Sequence, residues 1–192
     1  MMKPILFNTE MVRAILAGQK TQTRRKCKPG TVVALEHEQP IGGQPYYVGD
    51  ILWVRETWGD YREYCEGNEG FFYLYKADYP DGAKAIPLPD DQKTDYADSW
   101  DLPKWHPSIH MPREAARIFL RVTNVRIERL QDIDDEGVMA EGIEFGGPFE
   151  EIWDSTVKRA DRDHYGWDAN PWVWVIEFER IEAPEQEVQD NG

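Results

Sequence analysis

The clearest pattern lies near the C-terminal end. In "PWVWVIEFER", residues 171–180, Trp172, Trp174, Ile176 and Phe178 alternate with Val173, Val175 and Glu177. Alternate residues of a strand point to opposite faces, so the run predicts a strand. "ARIFLRVTNVRIERL", residues 116–130, predicts another: Ile118, Leu120 and Val122 alternate, flanked by Arg117, Arg121 and Thr123, and Val125 and Ile127 alternate with charged neighbours past Asn124. The phase change predicts a kink at Thr123-Asn124. "GTVVAL" (30–35), "GDILWVRETW" (49–58) and "GFFYLYKAD" (70–78) read as further strands, the second introduced by a Gly-Asp turn.

Helical spacing appears three times. "NTEMVRAILAG" (8–18) pairs Met11 with Ile15 and Val12 with Leu16; Asn8 or Thr9 supplies a cap and Gly18 a stop. "DIDDEGVMAEG" (132–142) opens on acids and stops at Gly142, and "PFEEIWDSTVKRA" (148–160) has Pro148 at its start. Between residues 79 and 112 the periodicity dissolves. Six of the 13 prolines fall there, with Trp100 and Trp105. The aromatics call for burial, so this is expected to be an ordered, irregular insertion. The tail from 183 is polar and acidic and is expected to fray. Helices and strands mix without regular β-α-β alternation, which predicts an α+β fold: a small twisted barrel with helices against it. One domain is expected over 1–182, with an insertion at about 59–112 and a flexible tail at 183–192.

Charge changes the picture locally. The chain has 22 Lys and Arg against 36 Asp and Glu, a net −14. That balance argues against long duplex nucleic acid, whose binding rests on phosphate neutralisation. Yet Lys20, Arg24, Arg25, Lys26 and Lys28 crowd into nine positions just after the first helix, while residues 130–154 hold nine acids and no Lys or Arg. A local basic mouth in an acidic body is expected. Cys27 and Cys65 stand apart in no metal-ligand or disulfide pattern, and His106 and His110 lack a third ligand, so neither metal nor cofactor is expected. No apolar run suits a membrane span or a signal peptide, and a cytoplasmic protein is expected.

After the first helix comes "GQKTQT", in which Gly18, Lys20 and Thr23 match the G-x-K-x-x-T signature of the ASCH domain, a branch of the PUA-like superfamily. Glu141 stands where the small bacterial ASCH amidohydrolases, which deacylate N4-acetylcytidine, carry a Glu that completes a Lys, Thr, Glu trio. "VWVIEF" is similar to their closing strand. The phrases "PSIHMPR" (107–113) and "GWDANPWVWVIEF" (166–178) resemble larger ASCH proteins of phages and prophages. The resemblance covers the first and last thirds. It implies a PUA-like fold and an amidohydrolase acting on a small modified nucleoside or nucleobase. A module that binds RNA or a modified base without catalysis is the alternative, and a ribonuclease is a further one; short single-stranded RNA is the partner of both.

The residues carry that chemistry in their own right. A hydroxyl nucleophile needs a base. Thr23 can attack. Lys20 can deprotonate it if burial or nearby cations such as Arg24 and Arg25 depress its pKa, and Glu141 can orient Lys20 or pass a proton. Because Lys20 and Thr23 are three apart, a regular strand would turn them to opposite faces, so the trio requires a turn or bulge. Arg24 and Arg25 are candidate ligand contacts. Trp58 could stack on a base and Glu56 accept from a cytosine-type amino group. Ser108, His110 and Arg113 are candidate polar groups of a pocket loop. Core packing suits Trp172 and Trp174 better than a ligand.

Overall fold

The computed structural model describes residues 2–31, 43–65, 68–79 and 105–184. It is an α+β structure. Strand β1 (Met2–Leu6) leads into helix α1 (Thr9–Leu16) and strand β2 (Gln22–Lys26). Strands β3 (Ile51–Arg55), β4 (Trp58–Cys65) and β5 (Asn68–Tyr75) follow, then the long β6 (Phe119–Arg129). Helices α2 (Asp135–Ala140), α3 (Phe149–Thr156) and α4 (Arg162–Tyr165) precede the last strand, β7 (Trp172–Ile181).

Five strands form one sheet in the order β1-β3-β6-β7-β2, and β4 and β5 form a separate antiparallel pair. β1 runs parallel to β3; the other neighbours are antiparallel. Among the described residues no ladder joins the two edges, β1 and β2, and these strands do not close a barrel. The sheet nevertheless curls: Arg25 on β2 donates from Nη2 to the Leu6 carbonyl on β1 at 2.9 Å.

β7 shows how the sequence pattern becomes a core. Trp174, Ile176 and Phe178 enter one buried cluster with Ile5, Phe7, Val12, Ile15, Leu52, Leu120 and Val122. Val173 and Val175 enter a second, with Leu130, Phe149, Trp153 and Val157. A central strand with both faces covered needs apolar side chains on each, and β7 has them. The phase change in β6 is a bulge, the register slipping between Val122 and Asn124.

Helix α1 is capped as its sequence predicts, the Asn8 side chain accepting from the Met11 N–H at 2.8 Å. Gly18 ends it at φ +73°, a left-handed conformation that favours glycine. Asp134 caps α2 by accepting from the Gly137 N–H at 2.8 Å.

Four departures from the pattern have physical reasons. β1 contains Pro4, which weakens a strand reading; it is tolerated because β1 is an edge. β2 is the basic run, whose charges hide a strand. β4 carries Trp58, Tyr61 and Tyr64 at spacings of three rather than two, which hides a strand; paired with β5 it makes the start of the expected irregular insertion a two-stranded ribbon. The strand expected at 30–35 begins instead as a helical turn, with the Thr31 N–H on the Lys28 carbonyl at 2.9 Å. The rest of that run, residues 80–104 of the insertion and the tail from 185 lie outside the described residues. Among the described residues no helix is long and apolar enough to cross a membrane.

Candidate functional site

Strand β2, at the edge of the sheet, forms one wall of a cavity of about 870 Å³. Ile5, Phe7 and Met11 line one side, from the first core cluster. Phe149, Trp153 and Val157 line the other, from the second. Thr23, Arg24, Arg25 and Glu141 lie between them. Alternation along β2 explains the arrangement. Arg25 stacks over the Phe7 ring at 5.3 Å, whereas Arg24, on the opposite face, lies over Phe149 at 5.8 Å.

The odd spacing of Lys20 and Thr23 is resolved because Lys20 lies outside the β2 ladder. It forms an isolated antiparallel bridge with Glu141. The intervening Thr21 gives its N–H to Ala140 at 2.8 Å and takes the Phe178 N–H at 2.8 Å. Lys20 thereby reaches the Phe7 side, with Nζ 5.7 Å from that ring.

Lys20, Thr23, Arg24 and Glu141 are 2%, 1%, 4% and 7% exposed, so the charges among them must be matched. Lys20 Nζ donates to Glu141 Oε2 at 2.5 Å and to the Glu141 carbonyl at 2.9 Å. Arg24 Nη1 donates to Glu141 Oε1 at 3.2 Å, while its Nη2 and Nε donate to Glu128 Oε1 at 2.6 and 3.1 Å. Arg126 extends the chain, donating from Nε to Glu128 Oε2 at 3.1 Å and from Nη1 to Glu177. The alternation is complete: the cations Lys20, Arg24 and Arg126 meet the carboxylates Glu141, Glu128 and Glu177. Gln22, behind them, ties β2 to α2 by donating to the Gly137 carbonyl at 2.8 Å.

Burial pulls the Lys20 ammonium below its ordinary value. Glu141 pulls it back, and Arg25 and Arg24 push it down again. Lys20 therefore holds its proton less tightly in the folded protein than in the unfolded chain. Across the pH range between that lowered value and the ordinary 10.5, the unfolded state binds more protons, so stability rises with pH. Wild type is expected to gain stability relative to Lys20→Met as pH climbs toward 10.5. Urea unfolding of both proteins from pH 7 to 10.5 measures this; a difference that shrinks in that range would show that Lys20 is not desolvated.

Thr23 and Lys20 are not hydrogen-bonded. Thr23 Oγ1 instead accepts from Arg25 Nη1 at 2.9 Å. Of the trio, Thr23 and Glu141 line the cavity, and Lys20 stands behind Glu141. The Lys20 ammonium thus meets Glu141 rather than Thr23. Arg24 lines the cavity but is committed to two carboxylates, which removes it as a ready ligand contact.

The remaining candidates divide. Ser108, in the 3-10 turn Ser108–His110, lines the cavity. Glu56 does not. It is 1% exposed, and Arg117 grips both of its oxygens, Nε to Oε1 at 2.9 Å and Nη2 to Oε2 at 3.1 Å. Burial raises its pKa and Arg117 opposes the rise. Trp58 packs against His106, with ring centroids 4.8 Å apart, and meets Tyr73 edge-on at 5.7 Å. It is a packing residue and does not line the cavity. His110 and Arg113 are exposed and do not line it; Arg113 points to Met2, Nη2 to Sδ 3.7 Å. Sequence reasoning missed Tyr46, whose hydroxyl donates to Pro4 at 2.9 Å beside the cavity, and the Glu128–Arg126 extension. Alternating charges at Arg126 and Glu128 were the available signal, since residues two apart on a strand share a face.

The fold and site define an α+β protein with a charge-matched, buried wall at the back of an open cavity. Among solved structures it is similar to protein EF3133 from Enterococcus faecalis V583, described as of the DUF984 family: 10% identity, 88% of this chain covered, TM-score 0.44. The chain spans 66% of that protein, slightly under two thirds. A likeness of this degree identifies neither family nor activity. No protein-family model matches the sequence, and no curated protein matches it.

Proposed function

We propose that the protein is an ASCH-type amidohydrolase that cleaves the amide of a small acylated nucleoside or nucleobase, with N4-acetylcytidine as the first substrate to test. One observation carries the reading: Thr23 and Glu141 line the same cavity, and the buried Lys20 ammonium is ion-paired with Glu141.

Thr23 Oγ adds to the acyl carbon, and its proton passes to the Lys20–Glu141 pair. Lys20 Nζ and Glu141 Oε2 are joined by a hydrogen bond, so the proton is assigned to the pair and not to one residue. Arg25, already on Thr23 Oγ1, favours the developing alkoxide. The C–N bond then breaks as the pair returns the proton to the leaving amine, and water releases the acyl group from Thr23. Apolar walls of Phe7, Phe149 and Trp153 suit a flat heterocycle.

The test is release of cytidine from N4-acetylcytidine. Wild type should turn over, and Thr23→Ala should fall by at least about a thousandfold with its melting curve retained. Thr23→Ala turning over at the wild-type rate would remove Thr23 as the nucleophile. No release by wild type from any N-acylated nucleobase would end the amidohydrolase reading.

A further inference from the structure

Within the charge-matched wall one cation is left over. Arg25 makes three hydrogen bonds, all to neutral acceptors: Thr23 Oγ1 at 2.9 Å, the Arg24 carbonyl at 3.1 Å and the Leu6 carbonyl at 2.9 Å. Among the described residues no carboxylate pairs with it. Glu141 is near enough to act on it electrostatically, but Glu141 is held by Lys20 and Arg24. Glu10, another acid on the cavity lining, pairs with Arg13 at 2.9 Å. A guanidinium has five N–H donors, so Nε and one Nη2 hydrogen of Arg25 have no acceptor among the described residues.

The backbone adds donors of the same sense. The Cys27 N–H bonds the Trp172 carbonyl at 3.0 Å, and the Phe178 N–H bonds the Thr21 carbonyl at 2.8 Å. Antiparallel pairing alternates, so Thr23 and Arg25 direct their N–H groups at β7, and Arg24 and Lys26 direct theirs outward from the sheet edge. Both residues line the cavity.

We infer that the cavity holds an anionic group on Arg25, and, resting on the amidohydrolase reading, that this group is a carboxylate carried by the acyl part of the substrate. Geometry selects the acyl part. Nη1 of Arg25 already holds Thr23, and two guests on one guanidinium lie within about 8 Å of each other, two hydrogen bonds of about 2.9 Å plus the width of the group. A carboxylate two or three bonds beyond the attacked carbonyl fits that distance. The 5′ end of a nucleotide acylated on its base does not, because the ring and the sugar intervene. The substrate class is therefore an amide with an acidic acyl arm, such as a malonyl or succinyl amide. In a body of net charge −14, a specific cation is needed to keep such a ligand.

Two measurements test this. Calorimetric titration compares succinate with neutral succinamide, and acetate and inorganic phosphate as anions without the arm, on wild type, Arg25→Gln and Arg25→Lys. Wild type is expected to bind succinate at least tenfold tighter than succinamide and tighter than acetate or phosphate. Arg25→Gln should erase the preference and Arg25→Lys should keep part of it. Equal binding of succinate and succinamide by wild type overturns the inference and needs no variant to fold. Phosphate binding as tightly as succinate also overturns the acyl-arm assignment.

Hydrolysis of N4-succinylcytidine and N4-acetylcytidine is then compared. A succinyl preference in kcat/KM that Arg25→Gln removes supports the arm. Equal slowing of both substrates in Arg25→Gln makes Arg25 a stabiliser of the reaction's oxyanion and overturns the arm. Arg25-dependent succinate binding with no hydrolysis of either amide supports the anion site and ends the amidohydrolase reading.

Discussion

Glu141→Gln is expected to lower the unfolding free energy by about 3–5 kcal/mol, the usual consequence of leaving a buried charge without its partner. Glu141 is the junction of the buried wall: one oxygen meets Lys20, the other Arg24, and its own carbonyl takes a second Lys20 hydrogen. A neutral amide can accept from one cation but cannot offset two. Lys20 is affected most, because Glu141 is its only ion-pair partner among the described residues, whereas Arg24 keeps Glu128. Removing both members should be far milder than removing one. Lys20→Met with Glu141→Leu is expected to recover most of the loss, since a buried pair replaced by apolar groups of similar size is often neutral. Urea unfolding of Lys20→Met, Glu141→Leu and the double variant reads the coupling, with Glu141→Gln measured beside them. A loss below about 1 kcal/mol in Glu141→Gln would mean that the wall is wet and the pair solvated.

The wall also explains what was legible in the sequence. The excess of cations at residues 20–28 and of acids at 130–154 suggested that one run needed the other, and the chain brings them together through the Lys20–Glu141 bridge. The cap at Asn8, the bulge after Val122 and the two-faced β7 follow from local chemistry that any reader of the sequence can apply, whereas Asp134, read only as a helix-start charge, proves to be the cap of α2. The trio's internal geometry did not follow. Whether Lys20 faces Thr23 or Glu141 depends on one residue, Thr21, leaving the ladder toward Ala140, a tertiary choice with no local signal.

The same limit accounts for the misplaced candidates. Glu56 and Trp58 have the chemistry of base recognition, but their strand neighbours carry them to Arg117 and His106 instead. Nothing in the run from 51 to 58 points to Arg117, whose partner lies 61 residues away in sequence. His110 and Arg113 belong to a phrase of which only Pro107 and Ser108 reach the cavity. Arg25 was one basic residue among five in sequence. Its significance appears only once the neighbouring cations are seen to be matched.

Gly142→Ala is expected to destabilise the protein by about 3 kcal/mol, through two costs that add. Gly142 sits at φ +82°, where an L-residue pays about 1–2 kcal/mol. A Cβ there would lie 2.6 Å from the Ala14 Cβ and 2.9 Å from the Lys20 Cβ. Neither contact is the tip of a flexible chain, so overpacking adds roughly 1–3 kcal/mol. Relief would require α1 to part from the end of α2, which is the approach that brings Lys20 to Glu141. The substitution is therefore expected to lower the melting temperature and impair turnover together, although Gly142 bears no functional group. Gly146→Ala is the control. It has a similar φ of +72° but open space where its Cβ would stand, so only the backbone cost applies. Melting curves and cytidine release for the two variants separate strain from crowding. Equal losses in both would show that α1 and α2 do not press together at Gly142, and the close packing that sets Lys20 behind Glu141 would have to be abandoned.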